Sequence, residues 1–413
     1  MNLIRPFTGL RPAPGRAQDV IAPPYDVLDS SEARQRAAGK PWSFLHISKA
    51  EIDLPVGTDP YSAPVYAKAR ENFDRMLHEA VLLRDPEPCY YLYRLVMGAH
   101  TQVGLVVAAS VSAYESGHIR RHEFTRPDKE DDRVRQIDTL NAQTGPVFLT
   151  YRHSPDIDAL VARLTAVAPD VDVTADEGVR HSLWAVRERM VVDQLTRAFN
   201  AMERLYIADG HHRSAAAARV ATTRRVTNPR HSGDQGYEYF LAVMFPDNQM
   251  QILDYNRVVK DLNGLSREEF LARVVETFDI AAVATACKPA AVGEFGMYLA
   301  GQWYRLRIRP EHVPREDPVR RLDVSLLQEN LLAPVLGIGD PRRDKRIDFV
   351  GGIRGLAELE RRVKSGEMAV AFSMFATSLA DLMAVADAGE VMPPKSTWFE
   401  PKLADGLVSH MLD

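Results

Sequence analysis

Five consecutive residues carry more chemistry than packing requires: Asp209, Gly210, His211, His212 and Arg213. A carboxylate can hold a divalent cation or accept a proton. Two imidazoles and a guanidinium can neutralise phosphate oxygens, and Ser214 adds a hydroxyl. Residues 205–208 in front of them are apolar and β-prone, and an alanine-rich run follows. That pattern predicts a strand turning sharply into a helix, with Gly210 permitting a close or left-handed turn. The first N–H groups of such a helix point outward and form a ready anion site. A plain capped turn would explain Asp209 as an N-cap, but not His-His-Arg beside it.

A second charged cluster runs from Arg120 through Arg121, His122, Glu123 and Arg126 to Pro127. Pro127 suits the first turn of a helix, and the acidic residues after it suit a positive helix N-terminus. Arg121, His122, Glu123 and Arg126 lie between a strand end and that helix, where ligand sites of α/β folds tend to sit. A third cluster, Lys395, Ser396 and Thr397, follows two prolines near the end of the chain. Its ammonium, hydroxyls and amides suit phosphate oxygens, although no GxxxxGK[ST] precedes it. Near the start, Pro23 and Pro24 forbid helix and can present Tyr25 and Asp26 into a cleft.

Phosphoryl transfer depends on positioning, charge neutralisation and a metal more than on covalent chemistry. Asp209 is the candidate Mg²⁺ ligand. His212, Glu123 and His122 are the candidate proton-handling groups, and Gly210, His211, Arg213, Ser214, Arg121, Arg126, Lys395, Ser396 and Thr397 the phosphate-binding ones. Other chemistries lack their signatures. No GxGxxG opens a βαβ unit, no GxSxG elbow appears, and neither HExxH nor Cys/His zinc spacing occurs.

The positioning elements follow from composition and period. The chain has 413 residues, 46% hydrophobic and 26% charged, with a net charge of −5. That length predicts more than one lobe. The acidic balance argues against nucleic-acid binding. Cys89 and Cys287 have no partner spacing and read as buried thiols of a reducing cytoplasm. The first residues reach arginine and proline at once, which predicts no signal peptide. The apolar run 103–111 is too short to span a bilayer and reads as a buried strand. Strands are expected at 42–48, 89–96, 101–112, 145–151, 171–174, 240–245 and 250–254, the last two paired. Helices are expected from Ser30 with a serine cap, and at 61–82, 154–167, 185–202, 323–332 and 378–388. Another starts at Ser266, whose Glu269 completes a capping box. These elements predict an α/β (α+β) chain with a mixed-sheet catalytic core over 1–262, carrying helical insertions. A smaller α+β lobe spans 263–413, and its tail, 390–408, docks back on the core.

Several motifs in order are similar to the bacterial and archaeal family called domain of unknown function 1015. They are Ala22-Pro-Pro-Tyr-Asp-Val27, Arg121-His-Glu-Phe-Thr-Arg126, Asp132-Arg133, Ile207-Ala-Asp-Gly-His-His-Arg213, Met392-Pro-Pro-Lys-Ser-Thr397 and Pro401-Lys-Leu403. The Asp-Gly-His-His-Arg turn resembles the phosphate-binding turn of the ParB/sulfiredoxin-like fold, which includes free-serine kinases and nucleotide-hydrolysing partition proteins. The resemblance implies that Asp209 binds metal or orients the nucleophile, while His211, His212 and Arg213 hold donor phosphates. It also implies free L-serine as acceptor, with pyrophosphate, ADP or ATP as donor. Two departures stand out: Asn256-Arg257 where the family usually has His-Arg, and Ser48-Lys49-Ala50-Glu51 where Arg-Pro-Glu is common.

The expectation is therefore a cytoplasmic, Mg²⁺-dependent kinase making O-phosphoserine. Its partners are a small-molecule substrate and a phosphoryl donor, without nucleic acid or membrane, and a homodimer is left open. Two other classes remain: a non-catalytic ParB-like sensor of a nucleotide or phosphometabolite, and a nucleotide or phosphoester hydrolase.

Overall fold

The computed structural model describes residues 2–413, which form two compact units. The first comprises the chain up to Met250 together with Pro401–Asp413. Its main sheet runs in the order Ile119–Arg120, Leu205–Asp209, Val147–Tyr151, Tyr239–Pro246, His100–Ser110, Tyr90–Met97, Arg180–Val186 and Val171–Thr174, with Ile4–Arg5 paired to His100–Ser110. The sheet is mixed. Leu205–Asp209 lies parallel to Ile119–Arg120 and antiparallel to Val147–Tyr151. Tyr239–Pro246 lies parallel to Val147–Tyr151 and antiparallel to His100–Ser110.

Burial explains why these runs are strands. The central ones are apolar on both faces, as a sheet covered on two sides requires. Leu149, Ile207 and Ala242 pack in one core with Ala216, Ala217, Val220 and Ala221 of the helix His211–Thr227. Their small side chains let that helix approach the sheet closely. The helices Arg189–Asn200 and Val111–Glu115 contribute Leu195, Phe199 and Val111 to the same core. A second core joins Phe44 and Ile47 to Phe73 and Met76 of Ala63–His78 and Leu140 of Pro127–Leu140. Cys89 and Cys287 are buried and free.

The second unit, Gln251–Glu400, has a six-stranded antiparallel sheet. Its helix Arg267–Val274 starts with the expected capping box of Ser266 and Glu269.

Four local expectations are corrected. Residues 42–48 contain no strand but a short helix, Leu45–Ser48. The buried Phe44, Leu45 and Ile47 do not alternate, so they fit one helical face better than a pleat. The helix expected from 185 starts at Arg189, because Arg180–Val186 is a strand held between Tyr90–Met97 and Val171–Thr174. Gln251–Leu253 pairs with Trp398–Glu400, since both edges of Tyr239–Pro246 are already taken. The helix Ser30–Ala37 is capped by Asp29, whose carboxylate accepts from the Ser31 and Glu32 amides.

Candidate functional site

The strand Leu205–Asp209 ends in a bulge. Ile207 faces Leu149 and Asp209 faces Phe148, so Ala208 is the extra residue. Such a bulge re-aims the side chain that follows. Gly210 then adopts φ 100°, in the left-handed region, and the 17-residue helix His211–Thr227 begins. Helix geometry leaves the amides of His211, His212 and Arg213 without intrahelical partners. The Ser214 amide is the first to bond back, to the Gly210 carbonyl at 3.0 Å. The left-handed φ favours glycine, and a Cβ at 210 would lie 3.1 Å from Arg213 Nε, so the guanidinium would have to shift slightly to admit one.

Two cations meet Asp209. Lys402 Nζ lies 3.1 Å from Oδ2, and an Arg213 nitrogen lies 3.8 Å from Oδ1. Burial alone would push this carboxyl up, but Lys402 and then Arg213 hold it well below the ordinary carboxylate range. Asp209 still keeps 32% of its side-chain exposure, so a ligand can reach it. Arg213 also donates to the Pro146 carbonyl and lies 3.9 Å from Asp26.

The histidines are held neutral. Burial lowers His122 to about 4 against the opposing pull of Asp209. Burial and the neighbouring His122 take His211 well below its usual value. Their rings stand edge to face, with centroids 4.5 Å apart. The His122 amide approaches His211 Nε2 at 3.5 Å, which assigns the His211 proton to Nδ1, 3.7 Å from Glu123. His212 Nε2 accepts from the Arg126 amide at 3.1 Å. Thus His211 and His212 tie the loop 121–126 to the turn as neutral hydrogen-bonding groups. The cationic charge of the turn comes from Arg213 and Lys402. Ser214 is fully buried and donates to the His211 carbonyl.

The other predicted residues divide. Asp26 and Tyr25 lie on the short turn Tyr25–Val27, and Tyr25 lies under the Arg133 guanidinium at 3.8 Å. Arg121 sits over the Tyr114 ring, 5.2 Å from its centroid. The Arg126 guanidinium is exposed and lies 3.4 Å from Asp128. Lys395, Ser396 and Thr397 belong to the other unit. There the Lys395 carbonyl accepts from Arg257 at 2.9 Å, and Ser396 donates to the Pro393 carbonyl at 2.6 Å.

Sequence reasoning assigned no role to Lys402, Asp405 or Arg133. The segment Pro401–Asp413 is stitched into the first unit by Ala22 with Asp405, Leu10 with Ser409, and His410–Met411 with Ala142–Gln143. A lysine and an aspartate three residues apart on a proline-flanked segment were the available signal.

Among the described residues no group of three His, Cys, Asp or Glu side chains is placed to cage a metal. Magnesium that arrives with phosphates needs only one or two protein carboxylates. The turn itself carries one carboxylate, Asp209.

The chain matches the family described as Protein of unknown function (DUF1015) over residues 4–325. It belongs to that family. The tail motifs after residue 325 lie outside the matched span. No curated protein matches the chain. Among solved structures it resembles a mutant free serine kinase in complex with AMP, at 12% identity, covering 73% of this chain and 92% of that one, with a TM-score of 0.37. A conserved hypothetical protein from Pyrococcus furiosus aligns at 13% identity over 73% and 95% of the two chains, with a TM-score of 0.35. SbnI with a C-terminal truncation, from Staphylococcus aureus, gives 11% identity, 73% and 85% coverage, and 0.36. Likeness at that level leaves the chemistry to the residues themselves.

Proposed function

We propose that this protein is a phosphotransferase that moves a phosphoryl group from pyrophosphate or a nucleotide, ADP or ATP, to the hydroxyl of a small metabolite. Free L-serine, giving O-phosphoserine, is the leading acceptor. One observation carries the reading: a helix N-terminus opened by a left-handed glycine, with Lys402, Arg213 and the Asp209 carboxylate gathered at it.

Each part has a task. The amides of His211, His212 and Arg213 cradle donor phosphate oxygens. Arg213 and Lys402 offset charge that spreads over the transferred group. Magnesium bound to the donor supplies further neutralisation, and Asp209 is the residue to hold it. Glu123 is 56% exposed beside His211 and is the group to take the acceptor's proton. His211 Nδ1 stands 3.7 Å from it. No helix among the described residues is long and apolar enough to cross a membrane, which agrees with an aqueous substrate.

The test is phosphorus NMR of the full-length protein with Mg²⁺ and L-serine, against ATP, ADP and pyrophosphate in parallel. A serine-dependent phosphomonoester signal is expected with one donor. Free phosphate without ester would replace the reading with hydrolysis. Tight donor binding without turnover would replace it with sensing.

A further inference from the structure

Arg213 has one donor that the turn does not use. Its terminal nitrogens engage the Pro146 carbonyl, Asp26 and Asp209, but the buried Nε has no hydrogen-bond partner among the described residues. The same holds for one acceptor, Asp405 Oδ1. Asp405 is only 2% exposed, and no cation among the described residues lies within 4 Å of it. Its backbone is fixed by reciprocal hydrogen bonds with Ala22 at 2.9 and 3.2 Å. The carboxyl has one backbone hydrogen bond, from Tyr25, and a buried oxygen left unpaired beside it is costly.

Arg213 and Asp405 both line one recess of about 30 Å³, together with Tyr25, Arg133, Thr144 and Gly145. Gly145 marks where they converge: a Cβ there would lie 3.4 Å from Arg213 Cδ and 3.6 Å from Asp405 Oδ1. Arg133 is already committed, to Asp132 at 2.6 Å and to the Tyr25 ring. The volume holds on the order of two water-sized groups. An unused guanidinium donor and an unused carboxyl acceptor on residues lining one recess are complementary to a small zwitterion.

We propose that this recess is the head-group site of the acceptor, holding a small α-amino acid with its carboxylate on Arg213 Nε and its ammonium on Asp405 Oδ1. The acceptor's role rests on the phosphotransferase reading, but the binding does not. Arg213 then links the two halves of the site, since the guanidinium that grips the head group also stands 3.8 Å from Asp209. The recess has room for about two heavy atoms of the head group, one carboxylate oxygen and the ammonium nitrogen, so the rest of the molecule with its hydroxyl-bearing side chain lies outside it.

The test is calorimetric titration of the full-length protein, without phosphoryl donor, with L-serine, L-alanine, glycerate and ethanolamine. L-Serine and L-alanine are expected to bind. Glycerate lacks the ammonium and ethanolamine the carboxylate, and both should bind at least tenfold more weakly. Asp405→Asn should weaken L-serine at least tenfold, with folding checked by a thermal melt. Glycerate binding as well as L-serine, unchanged affinity in Asp405→Asn, or competition by potassium would overturn the proposal. So would no amino-acid binding at millimolar concentration, which would leave the recess to water. The ligand series on the unaltered protein decides the matter even if Asp405→Asn fails to fold. Serine phosphorylation with a failed series would sink the recess and spare the phosphotransferase. Amino-acid binding in the expected order without transfer from any donor would do the reverse.

Discussion

Lys402 is where the site can be tested hardest, because its place was set by three-dimensional return of the chain. Replacing it with methionine keeps most of the stem and removes the charge. At 3.1 Å from Asp209 Oδ2, the Coulomb attraction lies between about 1 kcal/mol in a water-like dielectric and about 5 kcal/mol at an effective dielectric of 20. The side chains keep 23% and 32% of their exposure, which favours the lower half of that range. As a contribution to stability, such an exposed pair is worth about 0–1 kcal/mol. In the proposed phosphoryl transfer it would be worth far more as a preorganised cation, since losing one such group costs about 100- to 1000-fold in kcat. Lys402→Met should therefore drop phosphoserine formation about 100-fold while moving the melting temperature only a few degrees. Lys402→Arg should recover part of the rate. Pyrophosphate binding by calorimetry should weaken in parallel, which gives a readout independent of turnover. A Lys402→Met protein with activity and pyrophosphate affinity within threefold of the unaltered chain would refute the role. A large loss of stability with unchanged rate per folded molecule would show that the pair is structural.

Three further outcomes follow from the same geometry. Asp209→Asn should abolish turnover with the fold retained, read by phosphorus NMR beside a circular-dichroism melt; full activity would remove Asp209 as metal ligand. Gly210→Ala must hold a left-handed backbone and crowd Arg213, which should cost about 1–2 kcal/mol and weaken pyrophosphate binding; an unchanged midpoint in urea would contradict it. Burial raises both Asp323, in the second unit, and Asp405, in the first, from 3.8 to about 7. The folded form thus keeps protons that the unfolded chain releases, so these groups lower stability as pH rises from about 4 through 7, by an upper bound of about 4 kcal/mol each. Asp323→Asn should flatten the fall in melting temperature of its unit between pH 5 and 8, and an unaltered slope would dismiss the buried-proton account.

What was legible in the sequence was whatever is encoded locally. The turn at Gly210 needs a strand, a small residue and a helix in succession, and all three stand side by side in the chain. The helix at Pro127 and the capping box at Ser266 are equally local. The failures are tertiary. Residues 180–186 became a strand because two neighbours offered ladders, and 42–48 became helical because their burial falls on one helical face. Gln251–Leu253 took a partner almost 150 residues away. The same rule divides the candidate site. Asp209, His211, His212 and Arg213 are consecutive, so their types already suggested an anion site. Lys402 and Asp405 come almost 200 residues later, carried in by the strand pairing of His410–Met411 and the bridges at Ala22 and Leu10. Burial also changed the chemistry of residues whose positions were foreseen. His211 was expected to hold phosphate as one of three neutralising groups, but enclosure beside His122 keeps it uncharged. That transfers the electrostatic burden to Arg213 and Lys402. The site's charge is therefore set by which segment returns to it, and a chain ending at residue 400 should keep the turn yet lose its grip on phosphate.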